Sequence, residues 1–474
     1  MNYPSPSPLL TDLYQLTMLA GYFEEGMAER RASFDLFFRT NPYQGSYAIF
    51  AGLAPALQYL EELRFDNASI SYLESLKIFT PRFLDYLADF RFRGSVLAPP
   101  EGTVIFAHEP LLSVEGSLAE AQFVETTLLN IINFQILVAT KAARISTAAG
   151  ASTVLEFGLR RAQGPDGGLS VARAAAIGGI GATSNLLAGA CFDLPVRGTH
   201  AHSWVMAFDD ELSAFRAYAK SFPDNCVLLI DTYDTLGSGL PNALIVAKEL
   251  RQRGYELLGV RLDSGDLAYL SRKAREFFDA AGFPEVKIVA SNDLDEHVIH
   301  SIRDEGGCID IYGVGTRLAT CAGDGGGALG GVYKLVCCDG QPKMKVTSDI
   351  TKATLPARKQ LLRLVDPRGN YEMDVIALVD EKLTPGMTVY DPQNPSRHRT
   401  IPEGVRIEEL RRPVMTEGRR LDHGSSLDAA AKRAKEQLSC LPTGSLRQIN
   451  PHRYKVAISP GLFQLRRQMM EQGE

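Results

Sequence analysis

Cys226-Val227-Leu228-Leu229-Ile230-Asp231-Thr232-Tyr233-Asp234-Thr235 is the stretch that decides the fold. Five apolar residues give way at once to two carboxylates and three hydroxyls, as where a buried strand opens into a functional loop. The texture recurs in Thr153-Val154-Leu155-Glu156-Phe157, Leu257-Leu258-Gly259-Val260, Val286-Lys287-Ile288-Val289-Ala290 and Ile309-Asp310-Ile311-Tyr312, with residues 194–199 filling the widest gap. Helical patterns separate the runs, and a spacing of roughly 25 to 40 residues is the βα repeat length that makes strands parallel. Six such units fit a barrel or an open doubly wound sheet equally well. Either architecture places its site at the carboxyl ends of the strands.

Outside this block the rhythm differs. Residues 11–18 open with capping residues, carry apolar groups at helical spacing and stop by Gly26, which predicts a first helix. Residues 32–39 read as a strand that runs into the turn Asn41-Pro42-Tyr43. Pro99-Pro100-Glu101-Gly102 and Pro367-Arg368-Gly369-Asn370 each separate two apolar runs and predict two hairpins. The most apolar window, 127–140, is interrupted by Asn130, Asn133 and Gln135, so it is expected to be a buried helix and not a membrane span. Residues 1–8 lack a basic segment followed by an apolar one and read as a disordered lead-in.

The chain has 474 residues, 45% of them hydrophobic, and a net charge of −6 with the signs mixed, so it has no electrostatic reason to bind nucleic acid. Residues 411–435 interleave Arg and Lys with Glu and Asp and read as a solvated helical face. Seven scattered cysteines without a Cys-x-x-Cys pair give neither a disulfide framework nor a zinc ribbon, and a reducing cytoplasm fits best.

The strand ends carry the chemistry. Glu156-Phe157-Gly158-Leu159-Arg160-Arg161 sets an aromatic ring beside guanidinium groups, which suits a flat anionic ligand and equally a packed Phe with surface arginines. Residues 178–185 lack the Gly-x-x-x-x-Gly-Lys of a nucleotide loop, so helix packing through small residues is the expected role. Asp231 and Asp234, then Arg261-Leu262-Asp263-Ser264-Gly265-Asp266, could hold Mg²⁺ or steady a cationic sugar; helix capping would also explain Asp263, Ser264 and Asp266. Gly313-Val314-Gly315-Thr316-Arg317 reads as a phosphate cradle or a tight turn. Gly198-Thr199-His200-Ala201-His202-Ser203-Trp204 holds two of the eight histidines and the only tryptophan. In an extended segment those histidines would share one side, as half a metal site or a hydrogen-bonded pair. No further His-rich or Cys-rich motif completes a zinc site. The inventory fits a phosphorylated sugar with Mg²⁺ and a flat acid.

These stretches resemble the nicotinate phosphoribosyltransferase family of type II phosphoribosyltransferases, and the match runs from residues 11–18 through 34–52, 156–173, 198–204, 229–235, 259–267, 288–294 and 311–320 to 330–336. The resemblance implies an α/β fold: an irregular α/β barrel over 126–345 bearing the active site, an α+β N-terminal domain over 1–125, and a β-rich C-terminal region with a charged helical tail over 346–474. It implies a cytoplasmic homodimer with shared active sites. The implied reaction joins nicotinate to 5-phosphoribosyl 1-diphosphate, yielding nicotinate mononucleotide and diphosphate, the first step of NAD synthesis from nicotinate. ATP hydrolysis is coupled through a phosphohistidine, Mg²⁺ is the metal cofactor, and no residue is assigned as a dedicated metal ligand.

The family's Gly-Thr-x-x-His position falls on His202, the implied phosphate acceptor; neutral imidazole suits that role because its ordinary pKa is about 6.5. Tyr14 is implied to be lent by the partner subunit, and Phe157 and Arg261 to sandwich the pyridine ring. Arg160 and Thr199 would bind the nicotinate carboxylate or adjacent phosphate. His200 stands where nicotinamide-using relatives carry an acidic residue, so a carboxylate ligand is not repelled. Asp231 and Asp263 would face ribose and Mg²⁺, while Gly313, Gly315 and Thr316 would hold the 5-phosphate. Competing readings are a phosphoribosyltransferase that uses nicotinamide or quinolinate, a barrel lyase or isomerase acting on a sugar phosphate, and a non-catalytic metabolite-binding protein.

Overall fold

The computed structural model describes residues 6–345, 354–394, 396–421 and 426–472. The first five residues of the expected lead-in, and residues 422–425 of the expected charged helix, lie outside the described residues. The chain forms two compact units, one made of 138–323 and the other of 2–137 together with 324–474. The N-terminal and C-terminal segments, expected as separate domains, thus belong to one unit.

The 138–323 unit is built on five short parallel strands: β1 (Thr153–Glu156), β2 (Val227–Leu229), β3 (Gly259–Leu262), β4 (Lys287–Ser291) and β5 (Ile311–Val314). Their spatial order is β1-β5-β4-β3-β2. All five fall on the apolar runs singled out above, because a strand covered on both faces reads as continuous Val, Ile and Leu. The sixth run does not form a strand. Val196 makes one isolated parallel bridge to Thr183, which bridges Glu156 at the outer edge of β1. Three residues later the chain reaches the other edge, where the Thr199 hydroxyl donates to the Val227 carbonyl (2.7 Å) and the Leu229 amide donates to His200 Nε2 (3.2 Å). Side chains therefore complete the ring where a ladder would, and this is what makes the barrel irregular.

Helices cover the strands through amphipathic faces. In Leu267–Ala280 the buried residues are Leu267, Ala268, Ser271, Ala274 and Phe278, a stripe at helical spacing, and Asp266 caps the helix by accepting from the Tyr269 amide (2.9 Å). Asp263 and Ser264, for which capping was an alternative, cap nothing. Gly178 confirms the packing role expected of its stretch: a Cβ there would lie 2.3 Å from the Ala139 carbonyl oxygen and 2.5 Å from the Ala142 Cβ. The helix Glu125–Ala149 spans the expected apolar window and is the one described helix long and apolar enough to cross a membrane; 78% of that window is buried within the protein, as in a core helix. Lys141 (2.6 Å) and Arg144 (2.8 Å), both buried, clamp Glu296 of helix Glu296–Asp304.

The second unit has a seven-stranded and a six-stranded sheet. Strand Arg31–Phe38 lies between Gly331–Cys338 and Leu112–Ser117, antiparallel to both, and Ser95–Ala98 pairs with Leu112–Ser117 and with Arg412–Thr416. The hairpin expected at 99–102 is not formed. Val104–Ile105 pairs instead with Ala48–Ile49, so the proline-rich turn carries the chain from one sheet to another. The hairpin at 367–370 is present, joining Lys359–Val365 to Tyr371–Leu378. Residues 411–435 are only partly helical: Arg412–Thr416 and Arg419–Arg420 are strands, the helix is Leu427–Ser439, and Arg411 is buried with its guanidinium on the Ser113 hydroxyl and the Lys359 carbonyl.

A charged cluster is buried beneath the six-stranded sheet. Arg363 forks onto Asp374 (2.9 and 2.6 Å), Tyr454 donates to the same carboxylate (3.0 Å), and Glu109 faces Asp374 carboxyl to carboxyl. Burial, then the Asp374 charge, holds the Glu109 carboxyl well above the usual range, with Arg363 opposing. Two carboxyls so placed attract only if they share a proton. The native state therefore keeps the Glu109 proton longer than the unfolded chain does. The associated stability is full below the unfolded value of about 4.3 and is lost as pH rises through the folded one. Glutamine can accept the Phe106 amide now held by Glu109 (2.9 Å) and donate to Asp374. Glu109→Gln is accordingly expected to be more stable than the parent at pH 8 by roughly 1–2 kcal/mol, with the difference shrinking toward pH 5. Paired denaturant melts at the two pH values measure this, and a variant less stable at pH 8 contradicts the shared proton.

Candidate active site

The carboxyl ends of the parallel strands bring together most of the residues singled out from the sequence. At the end of β2, Asp231 Oδ2 accepts the Asp263 amide (2.7 Å) and the Ser264 hydroxyl (2.6 Å), which ties the β2 loop to the β3 loop. The other oxygen, Oδ1, is buried without a protein partner. Asp263 is held from the next strand by the Ser291 hydroxyl. Its Oδ2 lies 3.7 Å from His202 Nε2, with the imidazole 38% and the carboxylate 35% exposed. His202 Nδ1 lies 3.1 Å from the Thr232 hydroxyl. The Thr232 hydroxyl orients this ring, the Asp263 carboxylate faces its other nitrogen beyond hydrogen-bond distance, and the ring stays reachable from solvent.

The two histidines do not form a pair. The chain turns at Ala201, so His202 begins the short helix His202–Met206, whereas His200 is turned into the barrel wall and is 8% exposed. Because His200 Nε2 accepts a backbone amide, its proton sits on Nδ1, toward the Ala201 carbonyl (3.4 Å). Burial pushes its pKa down to about 4, with Arg261 and His202 lowering it further. His200 is thus a neutral structural imidazole that replaces a missing strand. Trp204 is structural as well: its indole donates to the Ala214 carbonyl (3.1 Å) and packs against Phe208 and Tyr218.

Arg261, on β3, is the group whose environment is least complete. Burial lowers its pKa, with Asp263 and Asp231 opposing, and its Nε is buried without a protein partner. A buried guanidinium N–H left unpaired costs stability unless a ligand takes it. Phe157 follows β1, its amide donating to the Val314 carbonyl (2.8 Å). Gly313 lies inside β5, paired with Leu155 and Ser291, and a Cβ there would sit 2.6 Å from the Phe157 ring. Its backbone belongs to the sheet, and the missing side chain makes room for the aromatic ring. Gly315 and Thr316 open the following turn beyond the sheet. The Thr199 hydroxyl proton is given to the Val227 carbonyl, which leaves the backbone N–H as the donor it can offer an anion. Arg160 is exposed in the turn Leu159–Arg161. Tyr14 belongs to the other unit, 45% exposed on the helix Leu13–Glu24.

Sequence reading missed Ser291 and gave Thr232 and Ser264 no role in orienting a side chain, yet these hydroxyls orient Asp263, His202 and Asp231 respectively. It also missed Glu156, a buried carboxylate raised above its usual pKa by burial and holding the Thr183 hydroxyl and the Gly158 amide. Strand-end hydroxyls were the available signal, but only the register of neighbouring strands tells which of them meets a carboxylate.

Profiles of the nicotinate phosphoribosyltransferase N-terminal domain, family and C-terminal domain match residues 9–133, 152–370 and 358–466. The chain is 48% identical to the nicotinate phosphoribosyltransferase of Bacillus subtilis over 79% of its own length and 77% of that protein's. This chain belongs to the nicotinate phosphoribosyltransferase family. The Caenorhabditis elegans nicotinate phosphoribosyltransferase is 38% identical over 96% of this chain and 92% of its own. The crystal structure of human nicotinic acid phosphoribosyltransferase superposes with a TM-score of 0.86 at 34% identity, covering 97% of this chain and 99% of that one. The family membership separates the chain from the sugar-phosphate lyases, isomerases and non-catalytic binders that the strand-end inventory alone allowed.

Proposed function

We propose that this enzyme transfers the 5-phosphoribosyl group of 5-phosphoribosyl 1-diphosphate to nicotinate, forming nicotinate mononucleotide and diphosphate in the first step of NAD synthesis from nicotinate, in the cytoplasm. Its family relatives bear that activity in their names. The observation that carries the reading within the site is the orphaned pair, Arg261 Nε and Asp231 Oδ1, one positive and one negative group awaiting a ligand. An anionic pyridine satisfies the first and a ribose hydroxyl the second. Phe157 supplies a face for the ring, Arg160 a fork for its carboxylate, and the Thr199 amide a second donor. The turn at Gly315 and Thr316 receives the 5-phosphate. Tyr14 serves the barrel of a second copy in a homodimer, which accounts for an exposed tyrosine at that position.

Departure of diphosphate leaves positive charge on the ribose, and Asp231 and Asp263 are placed to steady it. The described residues contain no group of three or more His, Cys, Asp or Glu side chains suited to a metal, and both carboxylates already accept protein hydrogen bonds. Mg²⁺ therefore fits as a companion of the polyphosphate, touching at most the free oxygens of Asp231 and Asp263, and supplies charge neutralisation there. Coupled ATP hydrolysis would pass through a phosphate on His202, the exposed imidazole of the two.

The test is an acceptor assay with nicotinate, nicotinamide and quinolinate, each with 5-phosphoribosyl 1-diphosphate and Mg²⁺, with and without ATP. Nicotinate is expected to be the preferred acceptor and ATP to stimulate its use. Absence of mononucleotide from nicotinate would sink the reading.

A further inference from the structure

The unit formed by 2–137 and 324–474 contains a cleft of about 1220 Å³ to whose lining none of the residues assigned to the chemistry above contributes. Arg39, Arg397, Arg399, Arg453 and Lys455 line it, against a single carboxylate, Asp391. That carboxylate is engaged with its own loop, accepting the Gln393 (2.8 Å) and Asn394 (3.1 Å) amides. Lys455 pairs with Glu372 (3.1 Å), but none of the four arginines has a carboxylate partner among the described residues. In a chain of net charge −6, four unpaired guanidinium groups around one concavity repel one another unless an anion is taken up.

The wall of the cleft is also strained. Gln44 (φ 49°), His108 (φ 73°) and Asn450 (φ 47°), all lining it, occupy the left-handed region that side chains other than glycine seldom adopt. The pKa of His108 is lowered by burial first and by Arg39 next, with Asp391 opposing. Phe106 and Tyr454, stacked at 3.8 Å between centroids, form a firm apolar part of the lining. Volume, concavity and charge match a compact, multiply charged anion better than a nucleic-acid strand, which calls for an open basic stripe.

We propose that this cleft binds a polyphosphate anion, either free or as the phosphate chain of a nucleotide, through Arg397, Arg399 and Arg453. The inference does not rest on the proposed activity. It is tested by calorimetric titration of the full-length protein with inorganic tripolyphosphate, comparing the parent with variants in the cleft alone so that any contribution of the barrel is the same in each. Arg399→Glu/Arg453→Glu is expected to weaken binding at least tenfold and to flatten the salt dependence of the affinity, since each arginine contact releases counterions. Arg397→Ala/Arg399→Ala, a milder pair, should weaken it several-fold with an unchanged melting temperature. ATP binding no tighter than tripolyphosphate identifies the free anion as ligand, and much tighter arginine-dependent binding identifies a nucleotide; both support the site. Unaltered affinity and stoichiometry in both variants, or preference for a single-stranded oligonucleotide that tripolyphosphate fails to displace, would overturn it.

Discussion

Arg261→Ala is expected to lower kcat/KM for nicotinate by about a thousandfold or more, without lowering the melting temperature. Arg261 is half-buried, its charge is disfavoured by that burial, and its buried Nε has no protein partner, so in the free enzyme it is a cost to folding. Replacing it removes that cost. With substrate present, the same group makes charge-assisted contacts in a site of low effective dielectric, where roughly 4 kcal/mol of transition-state binding corresponds to three decades of rate. Lysine should recover little, because a point charge on a flexible stem reproduces neither the planar fork nor the stacking surface. Steady-state kinetics and a thermal melt on the same preparations make the check. A loss of activity below tenfold, or one explained by a collapse in stability, would remove Arg261 from the substrate contacts.

His202→Ala should reduce acid-labile phosphate on the protein to background after incubation with ATP and should abolish stimulation by ATP. Transfer without ATP should persist within about tenfold of the parent, since the barrel still positions both substrates. The geometry separates this result from that for the neighbouring histidine. His202 is exposed between Thr232 and Asp263, while His200 holds the Leu229 amide from within the wall. His200→Ala leaves that buried N–H unpaired and is expected to lower the melting temperature while the surviving enzyme still takes label. Equal labelling of the parent and His202→Ala would reject His202 as acceptor.

The parallel strands were legible because a strand covered on both faces must be apolar throughout, and their polar ends marked the candidate site. The run at 194–199 shows the limit of that reading. Only Leu194, Pro195 and Val196 in it are apolar, and it makes a single bridge, while Thr199 and His200 complete the barrel edge with side chains. The turn at 99–102 was recognisable as a turn, but which strands it joins depends on pairings with residues 48–49 and 112–117 that turn chemistry does not encode.

The sequence by itself determined the α/β repeat, the family through its ordered loop motifs, and the residue types at each strand end, since hydrophobic period and loop composition are local properties. Only the tertiary structure decided where each of those residues sits and what it touches. Whether a histidine is a wall element or an exposed imidazole, whether a glycine lies in a sheet or in a turn, and whether an arginine is paired or open all depend on neighbours brought together across strands. Burial and partner geometry set those outcomes, and both are fixed by folding.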